Sequence, residues 1–290
     1  MSPKVLILGG EGYIGSAVFA RVSKIYKTAK IDIENKNQTS FPGFDVIINL
    51  AAHSSVALCE MFPESARYNN LKRVGTILDK LAEDQFLIHA SSASVYGIGS
   101  LESKENDELP VPSNLYDETK MEADKLIMTS LEKGKKITSL RFGTVSGISS
   151  NTRVDLVLNA MVLSAKASGE ISVIDPEVRR NLLLIDDLVE AMVRLIEVNC
   201  IGIYNLGSLN LTIGSLADSI SRLYQAKLNI LESKKPSPFD FHLNTTKIEN
   251  LIGDYRVTNL SKSIEDLWEG LSESKHSRAN VHGPHKMLSM

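Results

Sequence analysis

A glycine-rich turn near the start of the chain constrains the fold more than any other feature of the sequence. Residues 5–8 form a short apolar run, which leads directly into Gly9-Gly10-Glu11-Gly12-Tyr13-Ile14-Gly15. Apolar residues then recur with the 3.6-residue period of a helix as far as Ile25. A buried strand, a glycine turn and a helix in this order predict a site for the phosphates of a dinucleotide.

Three glycines of this turn have separate predicted roles. Gly9 permits the tight turn, Gly12 lets a diphosphate approach the backbone, and Gly15 lets the helix pack closely on the strand. The spacing is Gly-x-x-Gly-x-x-Gly rather than Gly-x-Gly-x-x-Gly. The helix that follows offers free N–H groups and a partial positive charge to the phosphates.

The rest of the chain continues to alternate apolar strands with amphipathic helices. Strands are predicted at residues 29–33, 46–50, 86–90 and 137–142, and helices at residues 63–81 and 116–131. This alternation favours parallel strands joined by right-handed crossovers. We therefore predict an α/β fold, namely a Rossmann-type doubly wound parallel sheet with a smaller C-terminal substrate-binding lobe.

The alternation becomes less regular after the fifth strand, and this change sets the predicted domain boundaries. Residues 1–147 form the predicted dinucleotide-binding domain, and residues 181–206 return to it. Residues 148–180 and 207–271 form the substrate-binding lobe, whereas the polar residues 272–290 form a flexible tail.

The composition excludes several classes of partner. The formal net charge of -3 argues against a nucleic-acid partner, because domains that bind phosphate backbones are usually basic. No apolar run approaches the roughly 20 residues of a membrane span, and none resembles a signal peptide, so we predict a cytoplasmic protein that does not bind membranes. Neither Cys59 nor Cys200 belongs to a CxxC motif or a ligand-spaced cluster, which in a reducing cytosol predicts free thiols. The histidines of the tail are loosely spaced, and we predict no metal site.

Asp32 indicates which dinucleotide is bound. It ends the predicted second strand, about 20 residues beyond the glycine turn. A carboxylate there accepts hydrogen bonds from the adenosine ribose and repels a 2′-phosphate, so NAD is favoured over NADP. Lys30 and Lys36 flank Asp32 and weaken this discrimination.

A second motif, Tyr116-Asp117-Glu118-Thr119-Lys120, predicts acid–base chemistry. Positions i and i+4 share a helix face, so Lys120 lies beside the Tyr116 phenol. A phenol ionises near pH 10, but a nearby ammonium, or the positive ring of a nicotinamide, favours the phenolate and lowers its pKa. Ser92 lies at the end of a strand, where such sheets bind ligands, and can donate to a substrate oxygen. We predict Tyr116, Lys120 and Ser92 as the catalytic residues.

Five motifs occur in a set order between residue 4 and about residue 270. They are the glycine turn, Asn49-Leu50-Ala51-Ala52, Ser92-Ala93-Ser94-Val95-Tyr96-Gly97, Tyr116-x-x-x-Lys120 and Leu140-Arg141-Phe142. This order resembles that of the extended short-chain dehydrogenase/reductases, and among them the nucleotide-sugar epimerase/dehydratase group. In that group the matching tyrosine is the acid/base, the lysine holds the nicotinamide ribose and the serine orients the substrate oxygen.

The resemblance implies a set of ligand contacts. The residues implied to bind NAD are Gly9, Gly12, Tyr13, Ile14, Gly15, Asp32, Ile33, Leu50, Ala51, Ala52, Tyr116 and Lys120. Arg180 matches the arginine that binds the substrate diphosphate, and a guanidinium suits phosphate oxygens. Ser92, Ser94 and Thr144 complete the implied contacts to a nucleoside-diphosphate sugar.

The implied function is that of an NAD-dependent epimerase of nucleoside-diphosphate sugars, which works by transient hydride transfer. A homodimer is also implied, through the helices near residues 63–82 and 114–132. The Asp-Glu pair of the dehydratases is absent beside Ser92, so 4,6-dehydration is disfavoured.

Two alternatives stay open. The link between Asp32 and Asp45 is too short for the usual third strand, and in this the chain is similar to dTDP-4-dehydrorhamnose reductases. An NAD(P)H-dependent reductase of a nucleotide 4-keto-sugar is therefore one alternative. A non-catalytic regulator that senses dinucleotides is the other, although a sensor needs neither the serine, the tyrosine nor the lysine.

Overall fold

A computed structural model of the chain describes residues 2–31, 41–231 and 237–271. Asp32 and Ile33, which we predict to contact the cofactor, lie outside these residues, as does the predicted tail at 272–290. The expectations for these positions stay predictions.

Parallel strands form the main sheet. In the described residues the strands are β1 (Lys4–Leu8), β2 (Lys27–Ile31), β3 (Val46–Asn49), β4 (Phe86–Ser92), β5 (Lys136–Phe142), β6 (Thr144–Ser146), β7 (Glu170–Ile174), β8 (Arg179–Leu184), β9 (Gly202–Leu206), β10 (Leu209–Thr212) and β11 (Lys227–Leu231). Six of them pair in parallel in the order β2-β1-β3-β4-β5-β9. The order reverses between β1 and β3, and sheets of this kind bind ligands at the carboxyl ends of the strands beside such a reversal.

Helices cover both faces of the main sheet, which confirms the predicted doubly wound α/β fold. The helices are α1 (Tyr13–Val22), α2 (Val56–Met61), α3 (Pro63–Arg67), α4 (Arg73–Lys80), α5 (Leu115–Glu132), α6 (Val157–Ser168), α7 (Ile185–Val198), α8 (Ile213–Tyr224), α9 (Thr246–Ile252) and α10 (Leu260–Gly270). Ile7 of β1 packs into an apolar cluster with α1 and α7, whereas its neighbour Leu6 packs into another with α4 and α5. Successive strand residues therefore fill opposite cores.

A smaller group of elements forms a separate apolar cluster. It contains the three-stranded sheet β10-β8-β6, the parallel pair β11-β7, and the helices α6, α8 and α10. β6 and β8 belong to this small sheet. β9 is a strand of the large sheet, and α7 packs against that sheet. The division into a dinucleotide-binding domain and a substrate-binding lobe is a proposal, and these separate clusters support it.

The structure differs locally from the sequence-based prediction. The second strand begins at Lys27 rather than at residue 29, and the predicted helix at 63–81 is interrupted by a π-helical turn, Tyr68–Lys72. Such turns widen a helix by one residue and often occur near functional sites. Strand β8, which carries Arg180, was not predicted, because its apolar residues run straight into helix α7.

Cys59 and Cys200 are free thiols, as predicted. None of the helices in the described ranges has the length and apolar character needed to cross a bilayer.

Candidate active site

A cleft of about 460 Å³ opens beside the carboxyl ends of the main strands. Its walls come from the turn after β1, the segments that follow β3, β4 and β5, the start of α5, and the chain around Phe239. Of the predicted site residues, those lining the cleft are Gly9, Gly12, Tyr13, Ile14, Gly15, Leu50, Ala52, Ser92, Ser94, Tyr116, Thr144 and Arg180. Folding thus brings most of the predicted motifs into one cavity.

The chain's own packing requires glycine in the turn after β1, most closely at Gly9 and Gly15. Gly9 has a φ of 81°, and a Cβ there would lie 2.8 Å from the Ala51 nitrogen. A Cβ on Gly15 would lie 2.0 Å from the Gly9 carbonyl oxygen. At Gly12 the same oxygen, 3.3 Å away, would be the one neighbour of a Cβ. Gly12 therefore leaves open space at the cleft, as a ligand approaching the backbone requires.

The start of α1 fits an anionic group such as the diphosphate of a dinucleotide. Gly12 is the N-cap residue and no side chain caps the helix, so the first N–H groups stay available to a ligand. Tyr13 contributes little polarity to the cleft, because its hydroxyl donates to the Gly147 carbonyl oxygen at 2.9 Å.

Helix α5 presents Tyr116 to the cleft. Asn114 caps this helix by accepting a hydrogen bond from the Asp117 N–H at 3.0 Å. The Lys120 Nζ lies 5.9 Å from the centre of the Tyr116 ring and donates to the Ala90 carbonyl oxygen at 2.9 Å. Lys120 is buried and, unlike Tyr116, is not among the lining residues. The predicted pair is adjacent, with the ammonium behind the phenol.

A buried ion pair fixes α5 against the sheet. Asp124 Oδ2 lies 3.0 Å from Arg141 Nε on β5, and the two side chains are 2% and 4% exposed. Arg141 also donates to the Tyr96 hydroxyl at 2.9 Å, and Tyr96 donates in turn to Asn205 on β9 at 2.8 Å. This network sets the position of α5, and with it that of Tyr116.

The serines that follow β4 form a hydroxyl pair in the cleft. The oxygens of Ser92 and Ser94 are 2.9 Å apart, and the Ser94 N–H donates to the Ser92 hydroxyl at 3.2 Å. Ser92 thereby caps a short 3₁₀ turn, Ala93–Tyr96, which turns the chain so that both serines line the same cavity as Tyr116.

The expectation that Lys120 lowers the pKa of Tyr116 is wrong for the chain on its own. Burial raises the pKa of the Tyr116 phenol to about 12, and the neighbouring Ser92 hydroxyl only partly offsets this effect. Burial also lowers the pKa of Lys120 to about 8, against the opposing charge of Asp124. Desolvation is the largest cause of both shifts, and it favours the neutral form of each group.

Two neighbouring arginines on β8 have different surroundings. Arg179 forms an ion pair with Asp240, with Nε and Oδ1 2.9 Å apart. Arg180 lines the cleft and donates to the Phe239 carbonyl oxygen and, at 3.0 Å, to the Ser237 hydroxyl. Burial lowers the pKa of Arg180, yet an arginine stays charged at neutral pH. It therefore supplies a partly buried cation to the cavity.

Several lining residues were missed by sequence reasoning. They include Ser54, Asn151, Arg153, Phe142, Phe239 and Phe241. Most of them lie in irregular segments, where no periodicity marks a side chain as facing a cavity. Of the predicted cofactor contacts, Ala51 is buried beside Gly9 rather than in the lining. In the described ranges, no group of acidic, histidine or cysteine side chains is arranged to hold a metal ion.

Comparison with known proteins identifies the family. Residues 5–207 match the model of the NAD dependent epimerase/dehydratase family. The chain belongs to this family of NAD-dependent enzymes. The match begins in β1 and ends just after β9, so it spans the main sheet and nearly all of the cleft walls.

Individual relatives and structures are similar over most of the chain. A UDP-glucose 4-epimerase of Lactobacillus helveticus is 26% identical over 253 residues, which cover 71% of this chain and 76% of the relative. The structure of UDP-glucuronic acid 4-epimerase from Bacillus cereus in complex with UDP-glucuronic acid and NAD gives a TM-score of 0.80 at 21% identity, covering 92% of this chain and 98% of that one. RMD from Pseudomonas aeruginosa complexed with NADPH gives a TM-score of 0.79 at 18% identity, with the same coverage. At these identities the two structures show a shared fold.

Substitutions in the glycine turn separate ligand contact from packing. We expect Gly12→Ala to weaken NAD binding at least tenfold, about 1.4 kcal/mol, while the melting temperature without ligand changes little. Gly15→Ala should instead lower the melting temperature, because its Cβ would overlap the Gly9 carbonyl oxygen. Calorimetric titration with NAD and thermal unfolding measure the two effects. Unchanged NAD affinity in Gly12→Ala would show that the diphosphate lies elsewhere.

Ionisation of Tyr116 should depend on the dinucleotide. Without it, the raised pKa predicts no Tyr116 phenolate below about pH 11. Bound NAD carries a positive ring that favours the phenolate, so its onset should move to lower pH. Absorbance near 295 nm, taken as the difference between the wild type and Tyr116→Phe with and without NAD, measures this onset. An onset that NAD does not move would contradict the placement of the ring beside the phenol.

Proposed function

We propose that the chain is an NAD-dependent epimerase of nucleoside-diphosphate sugars with Tyr116 as its acid/base. The observation that carries this proposal is the presence of the Tyr116 phenol and the Ser92 hydroxyl in the same cleft as the uncapped glycine turn of α1. Membership of the NAD dependent epimerase/dehydratase family supports it, as does the similarity to UDP-glucose 4-epimerases.

In the proposed reaction, each side chain of the cleft has a separate role in hydride or proton transfer. Bound NAD would supply the acceptor, and later the donor, of a hydride at the sugar carbon. Tyr116 takes the proton from the sugar hydroxyl at its phenol oxygen and gives it back when the hydroxyl re-forms. Ser92 donates a hydrogen bond to the same sugar oxygen and steadies its developing charge. Lys120 holds the nicotinamide ribose and keeps a positive charge behind the phenol.

Arg180 binds the diphosphate of the sugar nucleotide in this proposal. Its guanidinium is partly buried at the end of the cleft formed by Phe239 and Phe241. A diphosphate oxygen is a stronger acceptor than the Phe239 carbonyl that Arg180 contacts in the structure. Ser94 and Thr144 line the same cleft as Arg180 and Tyr116, and in this proposal they contact the sugar.

A reductase of a nucleotide 4-keto-sugar is the second candidate, and one specific observation favours it. The link between Asp32 and Asp45 is too short for the usual third strand, and RMD, a structure of the same fold, is complexed with NADPH. A reductase would use Tyr116 to donate a proton once per turnover, with a net change of cofactor. The preference for NAD that Asp32 predicts favours the epimerase.

Replacement of the acid/base tests the proposal directly. We expect Tyr116→Phe to lower turnover of UDP-glucose or UDP-glucuronic acid by about 10²–10⁴-fold, because the phenol hydroxyl moves the proton. NAD affinity should stay within about twofold, since the ring that packs in the cleft is kept. Product analysis of the two epimers gives the rate, and calorimetry gives the affinity. Turnover equal to that of the wild type would reject the role of Tyr116.

A control variant, a variant of the diphosphate site and a cofactor assay extend this experiment. Tyr224→Phe is the matched control, because that ring stacks on Trp268 in the C-terminal lobe, away from the cleft. Arg180→Ala should raise KM more than it lowers kcat if the arginine binds the diphosphate. Absorbance at 340 nm with added NADH or NADPH and a nucleotide 4-keto-sugar decides between the candidates, since a reductase shows steady oxidation of the cofactor and an epimerase shows none.

A homodimer is part of the proposed function, whereas the cytoplasmic location stays a prediction from the sequence. Large apolar side chains are exposed on the helices near the predicted interface: Met61, Phe62, Tyr68, Leu126 and Met128. We expect light scattering to give twice the 31.9 kDa chain mass, and Leu126→Glu to give a monomer. Val111→Glu is the control, because Val111 is 90% exposed on a loop outside these helices. A wild-type monomer would overturn the dimer.

A further inference from the structure

We propose that residues 147–156, which connect β6 to α6, form a latch across the dinucleotide site and that Asn151 and Arg153 hold it closed. This inference rests on the proposed dinucleotide site and goes beyond it, because it concerns how the cofactor enters and leaves. Asn151 and Arg153 both line the cleft, together with the glycine turn and Ser54.

The middle of this segment joins two separate walls of the cleft. The Asn151 side chain donates to the Glu11 carbonyl oxygen, within the glycine turn, at 3.1 Å. Arg153 donates through Nη1 to the Ser54 hydroxyl at 2.9 Å and to its carbonyl oxygen at 3.1 Å. Ser54 follows β3, on the far side of the sheet reversal from the turn after β1. The segment therefore spans the crevice in which a dinucleotide would lie.

Buried hydrogen bonds fix the backbone of the segment at its first residue and at Arg153. The Gly147 carbonyl oxygen accepts from Tyr13, and the Gly147 N–H donates to Asn159 at 3.1 Å. Asn159 is fully buried, and its amide also donates to the Arg153 carbonyl oxygen at 2.7 Å. These contacts anchor the backbone at Gly147 and Arg153 without holding the side chains of Asn151 and Arg153.

The crossing contacts themselves are exposed and weak. Arg153 is paired with Asp155, and the two side chains are 25% and 29% exposed. Exposed pairs and hydrogen bonds of this kind contribute little to stability. Because Asp155 neutralises Arg153, this arginine is suited to bridging the walls rather than to binding an anionic sugar. The contacts can therefore break and re-form while the fold stays intact, as a latch requires.

A latch controls rates rather than affinity. It has to open for a dinucleotide to enter as well as to leave, since the bridging contacts are made between the chain's own residues. A residue that merely binds the cofactor would slow release alone. The two roles are therefore distinguished by the association rate.

The test uses NADH, whose fluorescence changes on binding, and no sugar. In the double variant Asn151→Ala/Arg153→Ala, we expect association and release each to become about tenfold faster, with Kd within about threefold of the wild type. Stopped-flow mixing measures association, and a chase with excess NAD measures release. Arg194→Ala is the matched control, because Arg194 is an equally exposed ion-paired arginine that donates to two carbonyl oxygens outside the cleft.

Other rates in these variants would overturn the latch. If release became faster while association stayed unchanged, Arg153 and Asn151 would be simple cofactor contacts. If neither rate changed, the two residues would have no role in cofactor entry or release. Arg153→Lys keeps the charge but cannot bridge Ser54 and Asp155, so wild-type rates in this variant would show that charge alone matters. A chain that binds NADH with these kinetics but epimerises no sugar would overturn the proposed function and leave the latch. A wild type that binds no NADH would overturn both.

Discussion

The buried ion pair between Asp124 and Arg141 is the interaction on which the geometry of the active site depends. It joins α5, which carries the proposed acid/base, to β5 of the main sheet, and both side chains are almost completely excluded from water. Removal of one partner would leave an uncompensated buried charge, which typically destabilises a protein by about 3–5 kcal/mol. The pair also connects through Tyr96 to Asn205, so β9 is part of the same network. One polar cluster thereby fixes α5, the helix that carries Tyr116, relative to two strands and the turn after β4.

Desolvation is the second constraint. It makes the ionisation of Tyr116 and Lys120 in the chain alone different from the ionisation that the proposed reaction requires. In the chain alone burial favours the neutral phenol of Tyr116 and weakens the charge of Lys120. A neutral phenol can donate its proton but cannot take one from a substrate hydroxyl. The proposed acid–base role therefore requires a further positive group in the cleft, and the nicotinamide ring is such a group. Binding of the cofactor would then prepare the tyrosine for proton transfer.

The turn between β1 and α1 both requires glycine and accepts a hydrogen bond from the proposed latch. The chain's packing determines Gly9 and Gly15, whereas Gly12 leaves open space where a diphosphate can reach the start of α1. The carbonyl oxygen of Glu11, between these glycines, is the acceptor for Asn151 from the opposite segment. The element that would receive the phosphates is thus also the one to which the covering segment is attached.

The sequence alone determined the strand–turn–helix unit, the doubly wound sheet, and the placement of Ser92 and Tyr116 at strand and helix ends. These features follow from local rules, namely apolar periodicity, glycine conformation and the i, i+4 geometry of a helix. Tertiary structure alone decided that Arg180 faces the cleft while Arg179 pairs with Asp240, and that Arg153 reaches Ser54. It also decided the direction of the Tyr116 pKa, because that direction depends on burial rather than on a neighbour in the sequence. Contacts between residues far apart in the chain leave no periodic signal, so only the folded arrangement shows them.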